Sequence, residues 1–203
     1  MRLLDQKQEE DNGYVEFVNV RERKDGTLEE TKERTGVWAW KHPHKAEGTV
    51  TYKKMEGGIV FDGVDFGYDP SKMVLHDIKL FAEPGQKIAF VGSTGAGKTT
   101  LVNLLMRFHE IQQGEILIDG ISTKDLSRQA VHSLFCMVLQ DTWLFYGTIY
   151  ENIAYGRPDA TREEVIAAAK AARIHTYIES LPQGYDTLLI DDGTNISKGR
   201  SSF

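Results

Sequence analysis

The chain has 203 residues, 40% hydrophobic and 27% charged, with a formal net charge of −6 and an isoelectric point near 5.5. That length and apolar content allow one domain with a buried core, and Lys and Arg interleaved among more numerous Asp and Glu argue against a nucleic-acid binder. No run reaches the roughly 18 apolar residues of a membrane span. Met1-Arg2-Leu3-Leu4-Asp5 lacks the pattern of a signal peptide, and a single Cys136 excludes an intrachain disulfide, as suits a reducing cytosol.

Residues 1–13 are polar and read as a linker or helix end without an independent fold. From Tyr14 the pattern alternates loosely, Lys24-Asp25-Gly26-Thr27 is an Asp-Gly turn, and Gly36-Val37-Trp38-Ala39-Trp40 resumes as a strand, so residues 14–58 are predicted to be rich in β-hairpins. Trp38 and Trp40 share one strand face, where packing is expected and a stacking surface is the other reading. His42 and His44 flank Pro43 with no third ligand nearby, which argues against a metal site. Ile59-Val60-Phe61 and Val64-Asp65-Phe66 begin a second β stretch, interrupted at Asp69-Pro70 and resumed from Met73 to Leu80. Glu83-Pro84-Gly85-Gln86 then turns the chain into Lys87-Ile88-Ala89-Phe90-Val91, predicted as a strand.

That run feeds Gly92, Ser93, Thr94, Gly95, Ala96, Gly97, Lys98 and Thr99, which fit G-x-x-x-x-G-K-[ST] at every fixed place, and Thr100 to Met106 follow as a helix. Three glycines let the loop take positive φ and turn its amide N–H groups inward, giving a concave cradle for phosphate oxygens. A helix N-terminus under the cradle favours anions. Lys98 supplies a compact positive charge for the β and γ phosphates, and the Thr99 hydroxyl is a hard oxygen ligand suited to Mg²⁺.

Beyond the loop helix, Gln113 to Gly120 reads as a strand closing in an Asp-Gly turn and Asp125 to His132 as a helix. Leu134 to Leu139 reads as a buried strand in which Cys136 is an inert core thiol. Thr161 and Glu164 form a capping box that opens a helix running to Ala172, and Pro182 and Gly184 end the helical half.

From Ile59 to Arg200 these pieces resemble the nucleotide-binding domain of ABC transporters, in particular the exporter-type cassette that follows a membrane domain. Phe66-Gly67-Tyr68 with Val74-Leu75 is similar to the family's aromatic loop, which implies that the Tyr68 ring stacks on adenine. Val138-Leu139-Gln140-Asp141-Thr142-Trp143-Leu144-Phe145 is similar to its glutamine loop. The resemblance implies that Gln140 joins Thr99 in holding Mg²⁺ and that the adjoining loop touches the membrane domain. Ile196-Ser197-Lys198-Gly199-Arg200 falls where the family carries Leu-Ser-Gly-Gly-Gln, matching at Ser197 and Gly199. There the resemblance implies contact with the ATP of a second cassette in a head-to-tail dimer. The family's strand ending in Asp-Glu and its switch histidine have no counterpart, so the chain reads as a partial cassette that binds ATP without hydrolysing it at a full rate, with open sheet edges that invite aggregation.

The expected fold is α/β: a P-loop NTPase core with an antiparallel β subdomain and a partial helical subdomain near residues 150–185. The expected organisation is a linker over 1–13, a hairpin-rich insertion over 14–58 and a partial cassette over 59–203. ATP and Mg²⁺ are the implied cofactors, an exporter's transmembrane domain the implied partner, and the cytoplasmic face of the membrane the implied place. Two other readings stay open. One is a self-contained P-loop kinase or NTPase using Asp191, since Leu188-Leu189-Ile190-Asp191, like Ile116-Leu117-Ile118-Asp119, is an apolar run ending in a carboxylate suited to Mg²⁺. The other is a nucleotide-binding stub that does not hydrolyse.

Overall fold

The computed structural model describes residues 11–69, 71–138 and 143–190. The chain divides into two compact units, Met1–Cys136 and Met137–Phe203, each with a core of its own.

The first unit opens with a four-stranded antiparallel sheet, β1 (Glu16–Glu22), β2 (Leu28–Glu30), β3 (Trp38–His44) and β4 (Thr49–Lys54), in the order β2-β1-β3-β4. Period-2 alternation sorts its faces. On the outer face Lys41 bridges Glu16 and Glu30, and Lys54 pairs with Glu22. On the inner face Val15 and Trp40 are fully buried with Ile118, Leu126, Ala130 and Val131, so the sheet shares a core with residues that follow the phosphate loop. Trp38 packs on Phe17, 4.9 Å between centroids and nearly parallel, at a partly exposed rim.

A second antiparallel sheet joins β5 (Ile59–Phe66), β6 (Leu75–Ala82), β7 (Gln113–Ile118) and β8 (Ile121–Ser122) in the order β6-β5-β7-β8. Ile118 pairs with Ile121 across Asp119 and Gly120, both at positive φ (52° and 77°), the two-residue hairpin that an Asp-Gly pair favours. The inner face of this sheet, Phe61, Val64, Phe66, Leu75 and Ile116, packs on Leu104 of the helix α1 (Lys98–Leu105). Where α1 ends, the buried guanidinium of Arg107 donates to Glu110, Asp11 and the Leu126 carbonyl. Burial opposes the Asp11 charge, but amide donors from Arg128 and Gly13 and the charges of Arg107 and Arg128 outweigh it and hold that carboxyl below its ordinary range.

Four expectations are corrected along residues 87–138. Residues 87–91 keep their alternation, Ile88 and Phe90 turning into an apolar cavity of about 150 Å³ lined also by Phe61, Leu80 and Leu101, but they form no strand and Val91 is 95% exposed. A strand exists only where a neighbouring backbone completes its ladder, and among the described residues none lies beside this run. The expected strand from Leu134 is likewise absent as far as Val138. The helix α2 (Arg128–Leu134) consumes its first residue, and Val138 is 86% exposed. Cys136 is consequently exposed and is not a core thiol. The helix itself starts three residues later than Asp125, because the Ser127 hydroxyl caps it by accepting from the Ala130 amide, while the Asp125 carbonyl accepts from the amides of Tyr14 and Val15.

The second unit gathers α3 (Ile149–Ala154), α4 (Arg162–Ala171) and α5 (His175–Ser180) with a two-stranded sheet of β9 (Gly147–Thr148) and β10 (Leu188–Leu189). The capping box at Thr161 and Glu164 forms as predicted, and a second one stands at Thr148 and Glu151. Ile149, Val165, Ala169, Ile178, Tyr185 and Leu189 make the core. No helix among the described residues is long and apolar enough to cross a membrane.

Candidate phosphate-binding loop and its aromatic neighbour

The loop takes its shape from two left-handed glycines. Gly95 lies at φ 85°, and Gly97, the residue capping α1, at φ 82° and ψ 8°. Gly97 has a second constraint, since a Cβ there would stand 2.6 Å from Leu75 Cδ2 on β6. Gly97→Ala is therefore expected to cost about 1–3 kcal/mol of stability and to weaken anion binding with it, which denaturant melts and a titration with tripolyphosphate would measure together. The Ala96 amide closes back on the Ser93 carbonyl at 3.2 Å, making Ser93 to Ala96 a tight turn.

Lys98, first residue of α1, folds its ammonium into the loop and donates to the carbonyls of Gly92 and Ser93 at 2.7 Å each. The positive charge thus sits inside the ring of loop backbone. The first amides of α1 have no intrahelical acceptor by helix geometry, and no acidic side chain lies in its first turn. A phosphate arriving there meets amide donors, a helix N-terminus and an ammonium without displacing an internal carboxylate. Thr99 is exposed beside Lys98, whereas Thr100 is buried. The glycine shape, the cation turned inward and the open Thr99 oxygen fit a nucleotide phosphate with its magnesium.

Tyr68 projects beyond the end of β5 with 58% of its surface exposed. Its hydroxyl lies 3.2 Å from Thr100 Oγ1 on α1. Its ring meets Phe66 at 5.1 Å and His109 at 5.2 Å, both edge to face. The backbone just before it is pinned by Gln112, whose side-chain oxygen accepts from the Gly67 amide at 3.0 Å and whose side-chain nitrogen donates to the Gly67 carbonyl at 2.8 Å. The described residues therefore bring Tyr68, the loop from Gly92 to Thr99 and Thr100 together around the start of α1. Thr100, His109 and Gln112 gain roles as neighbours of the ring that local sequence did not suggest. Their separation from Tyr68 in the chain hides them, and only the motif's position before α1 hinted at Thr100. Gln140, Asp191, Ser197 and Gly199 lie outside the described residues.

Asp119 has another use than metal binding. Its carboxylate accepts from the Trp40 indole at 2.8 Å and from the amides of Glu56, Gly57 and Gly58 at 2.7 to 3.0 Å. Burial alone would raise this carboxyl, but the indole and the three amides outweigh it and hold it below its ordinary value. With its oxygens so occupied, Asp119 is a tie between two sheets. Among the described residues no cluster of three or more His, Cys, Asp or Glu could hold a metal by itself.

In the second unit a different surface stands out. Trp143, Phe145, Tyr146 and Tyr155 are all exposed large aromatics, with Phe145 and Tyr155 stacked at 4.1 Å and Trp143 edge-on to Phe145.

Residues 75–202 match the family model described as ABC transporter. A fatty acid ABC transporter ATP-binding/permease protein of Mycobacterium bovis is 54% identical over 145 residues, 71% of this chain and 23% of that protein. An ATP-dependent lipid A-core flippase of Methylobacillus flagellatus is 44% identical over 160 residues, 78% of this chain and 27% of its own length. Among solved structures, that of a bacterial Atm1-family ABC exporter with ATP bound aligns with a TM-score of 0.64 and 43% identity, covering 71% of this chain and 26% of that one. The chain thus spans about a quarter of the length of each of these relatives.

Proposed function

This chain belongs to the ABC transporter family, carrying the ATP-binding domain of an exporter, and we propose that it binds MgATP as the energy-coupling part of that exporter. The observation that carries the proposal is the inward ammonium of Lys98 within a loop shaped by Gly95 and Gly97 at the start of α1. In this reading Gly92, Ser93, Thr94, Gly95, Ala96, Gly97, Lys98 and Thr100 hold the phosphates, Thr99 and Gln140 hold Mg²⁺, and Tyr68 stacks on the base. Bound Mg²⁺ supplies charge neutralisation between the terminal phosphates. The chain's own contribution is to bind and orient the nucleotide.

The partner is the membrane-spanning part of the exporter, at the cytoplasmic face of the membrane. Supporting it are the ATP-binding/permease names of the relatives and the exposed aromatic patch of Trp143, Phe145, Tyr146 and Tyr155, a composition enriched in protein interfaces. A second cassette, met through Ser197 and Gly199, completes the proposed assembly. Residues 59–203 are the cassette in this scheme, 1–13 a linker to the membrane part and 14–58 an addition to the cassette.

Calorimetric titration with MgATP tests the reading. Stacking is sequence-tolerant and worth about 1–3 kcal/mol per base, so Tyr68→Ala should weaken ATP by roughly that amount while Tyr68→Trp binds nearly as tightly as the wild type. Equal losses in both would assign Tyr68 to packing instead.

A further inference from the structure

An aromatic ring exposed on 58% of its surface is not held by packing, and a mobile ring would surrender much of its stacking energy in being ordered when a ligand arrives. The surroundings of Tyr68 remove that freedom in three ways, and two of the three come from the stretch that leaves the phosphate loop. The Thr100 hydroxyl, buried on α1, holds the phenolic tip at 3.2 Å. His109, just beyond α1, meets the ring face to edge at 5.2 Å and an interplanar angle of 89°. Phe66 on β5 meets it at 5.1 Å and 83°.

A fourth constraint acts on the backbone. The β5–β7 ladder reaches Asp65, which pairs with Gln113, and the Gln112 amide donates to the Asp65 carbonyl at 3.1 Å. Beyond that point the main chain of the 112 segment provides no partner for Gly67. The Gln112 carboxamide takes its place, bonding both the amide and the carbonyl of Gly67 as a ladder residue would. The β5–β7 pairing is thereby carried two residues further, from Asp65 to Gly67, by a side chain, and it stops immediately before Tyr68.

We propose that Gln112, acting with Thr100 and His109, is a positioning residue that aims the Tyr68 ring for base stacking, so that base recognition is built from the segment leaving the phosphate loop. The inference rests on the nucleotide reading above and adds to it Gln112 and His109, which touch no nucleotide there, and a second role for Thr100 beside its phosphate contact. None of these contacts acts on the triphosphate through the ring. A fault in positioning should therefore appear with ATP and be absent with a ligand that has no base.

The test is binding of MgATP and of magnesium tripolyphosphate to the same protein, for the wild type, Gln112→Met, His109→Ala and His109→Phe, each also in a Tyr68→Ala background. Met is close to Gln in length and cannot form the paired bonds. Two lost hydrogen bonds, or one aromatic edge contact, should lower ATP affinity by about three- to tenfold in Gln112→Met and His109→Ala, leave tripolyphosphate within about twofold, and be restored by His109→Phe. In the Tyr68→Ala background, neither substitution should weaken ATP further, because the ring they aim is gone; this non-additivity separates positioning from general structural damage. Equal losses on ATP and tripolyphosphate, or fully additive losses with Tyr68→Ala, would overturn the inference while leaving the nucleotide reading intact. If Gln112→Met fails to fold, His109→Ala against His109→Phe decides the question. A wild type that binds neither ligand overturns the nucleotide reading, and this inference with it.

Discussion

Lys98→Ala should lower MgATP affinity by at least tenfold and leave the melting temperature nearly unchanged. The ammonium donates to two loop carbonyls at 2.7 Å, and charge-assisted contacts from it to phosphate oxygens are worth about 1.5–3 kcal/mol, or roughly 10- to 150-fold in affinity. Removing it subtracts the only side-chain cation inside the loop ring of residues 92–99. The fold loses little, because the Gly92 and Ser93 carbonyls are exposed and water can take over their bonds. Lys98→Arg should not restore binding fully: the planar guanidinium is larger than the compact ammonium and cannot donate to both carbonyls in the same geometry. Calorimetry for affinity and a thermal melt for stability check the pair of claims. An unchanged dissociation constant would remove the loop from the nucleotide site.

Asp119→Ala should have the larger effect on stability, about 3–5 kcal/mol. The carboxylate is 8% exposed and takes four donors, the Trp40 indole and the amides of residues 56, 57 and 58. Alanine would leave all four without an acceptor, where each buried unsatisfied donor costs about 1–3 kcal/mol, less than additively. Asp119→Asn keeps the shape and one oxygen acceptor but turns an NH₂ group toward N–H donors, so its loss should be intermediate. The pH dependence follows from the direction of the shift. The folded carboxyl lies below its ordinary value of 3.8, so its contribution is fully present above the unfolded value and is lost as pH falls through the folded one. Denaturant melts between about pH 6 and pH 3 should show the wild type losing stability toward acid, and Asp119→Asn losing less. Parallel slopes for the two proteins would mean that the tie carries no charge.

Asp119 also shows how far sequence reasoning reaches. Its turn is legible, because an Asp-Gly pair between apolar alternations names a two-residue hairpin. Its partners are not: Trp40 lies 79 positions away, and nothing local marks an indole for a distant carboxylate. The same limit hid Gln112 and His109 from Tyr68, 45 positions away in the case of the Gly67 bonds. Short-range signals fared better. The phosphate-loop pattern implied positive-φ glycines, which Gly95 and Gly97 are, and a helix from Thr100, which starts two residues earlier at Lys98, and Thr161-Arg162-Glu163-Glu164 announced its capping box. The Thr148–Glu151 box has the same spacing and is as legible. Apolar runs misled where they were read as strands. Ile88 and Phe90 alternate with polar or exposed neighbours as a strand should, but alternation reports which side meets a core, and a strand needs a second backbone as well. Leu134 to Val138 failed differently, because the Ser127 cap set the helix frame so that α2 took Leu134 into its last turn.

The shared core of the first sheet bears on how the chain is made. Strands β1 to β4 have near neighbours and can pair as soon as they leave the ribosome, but Trp40 must wait for Asp119, 79 residues later. At about 5–20 residues per second, that wait is roughly 4–16 s, during which Val15 and Trp40 present an uncovered apolar face to the cell. A nascent chain arrested with β1 to β4 outside the ribosome but Ile118, Leu126 and Val131 not yet emerged should accordingly be held by chaperones, and one extended far enough for those covering residues to have left the ribosome should be released.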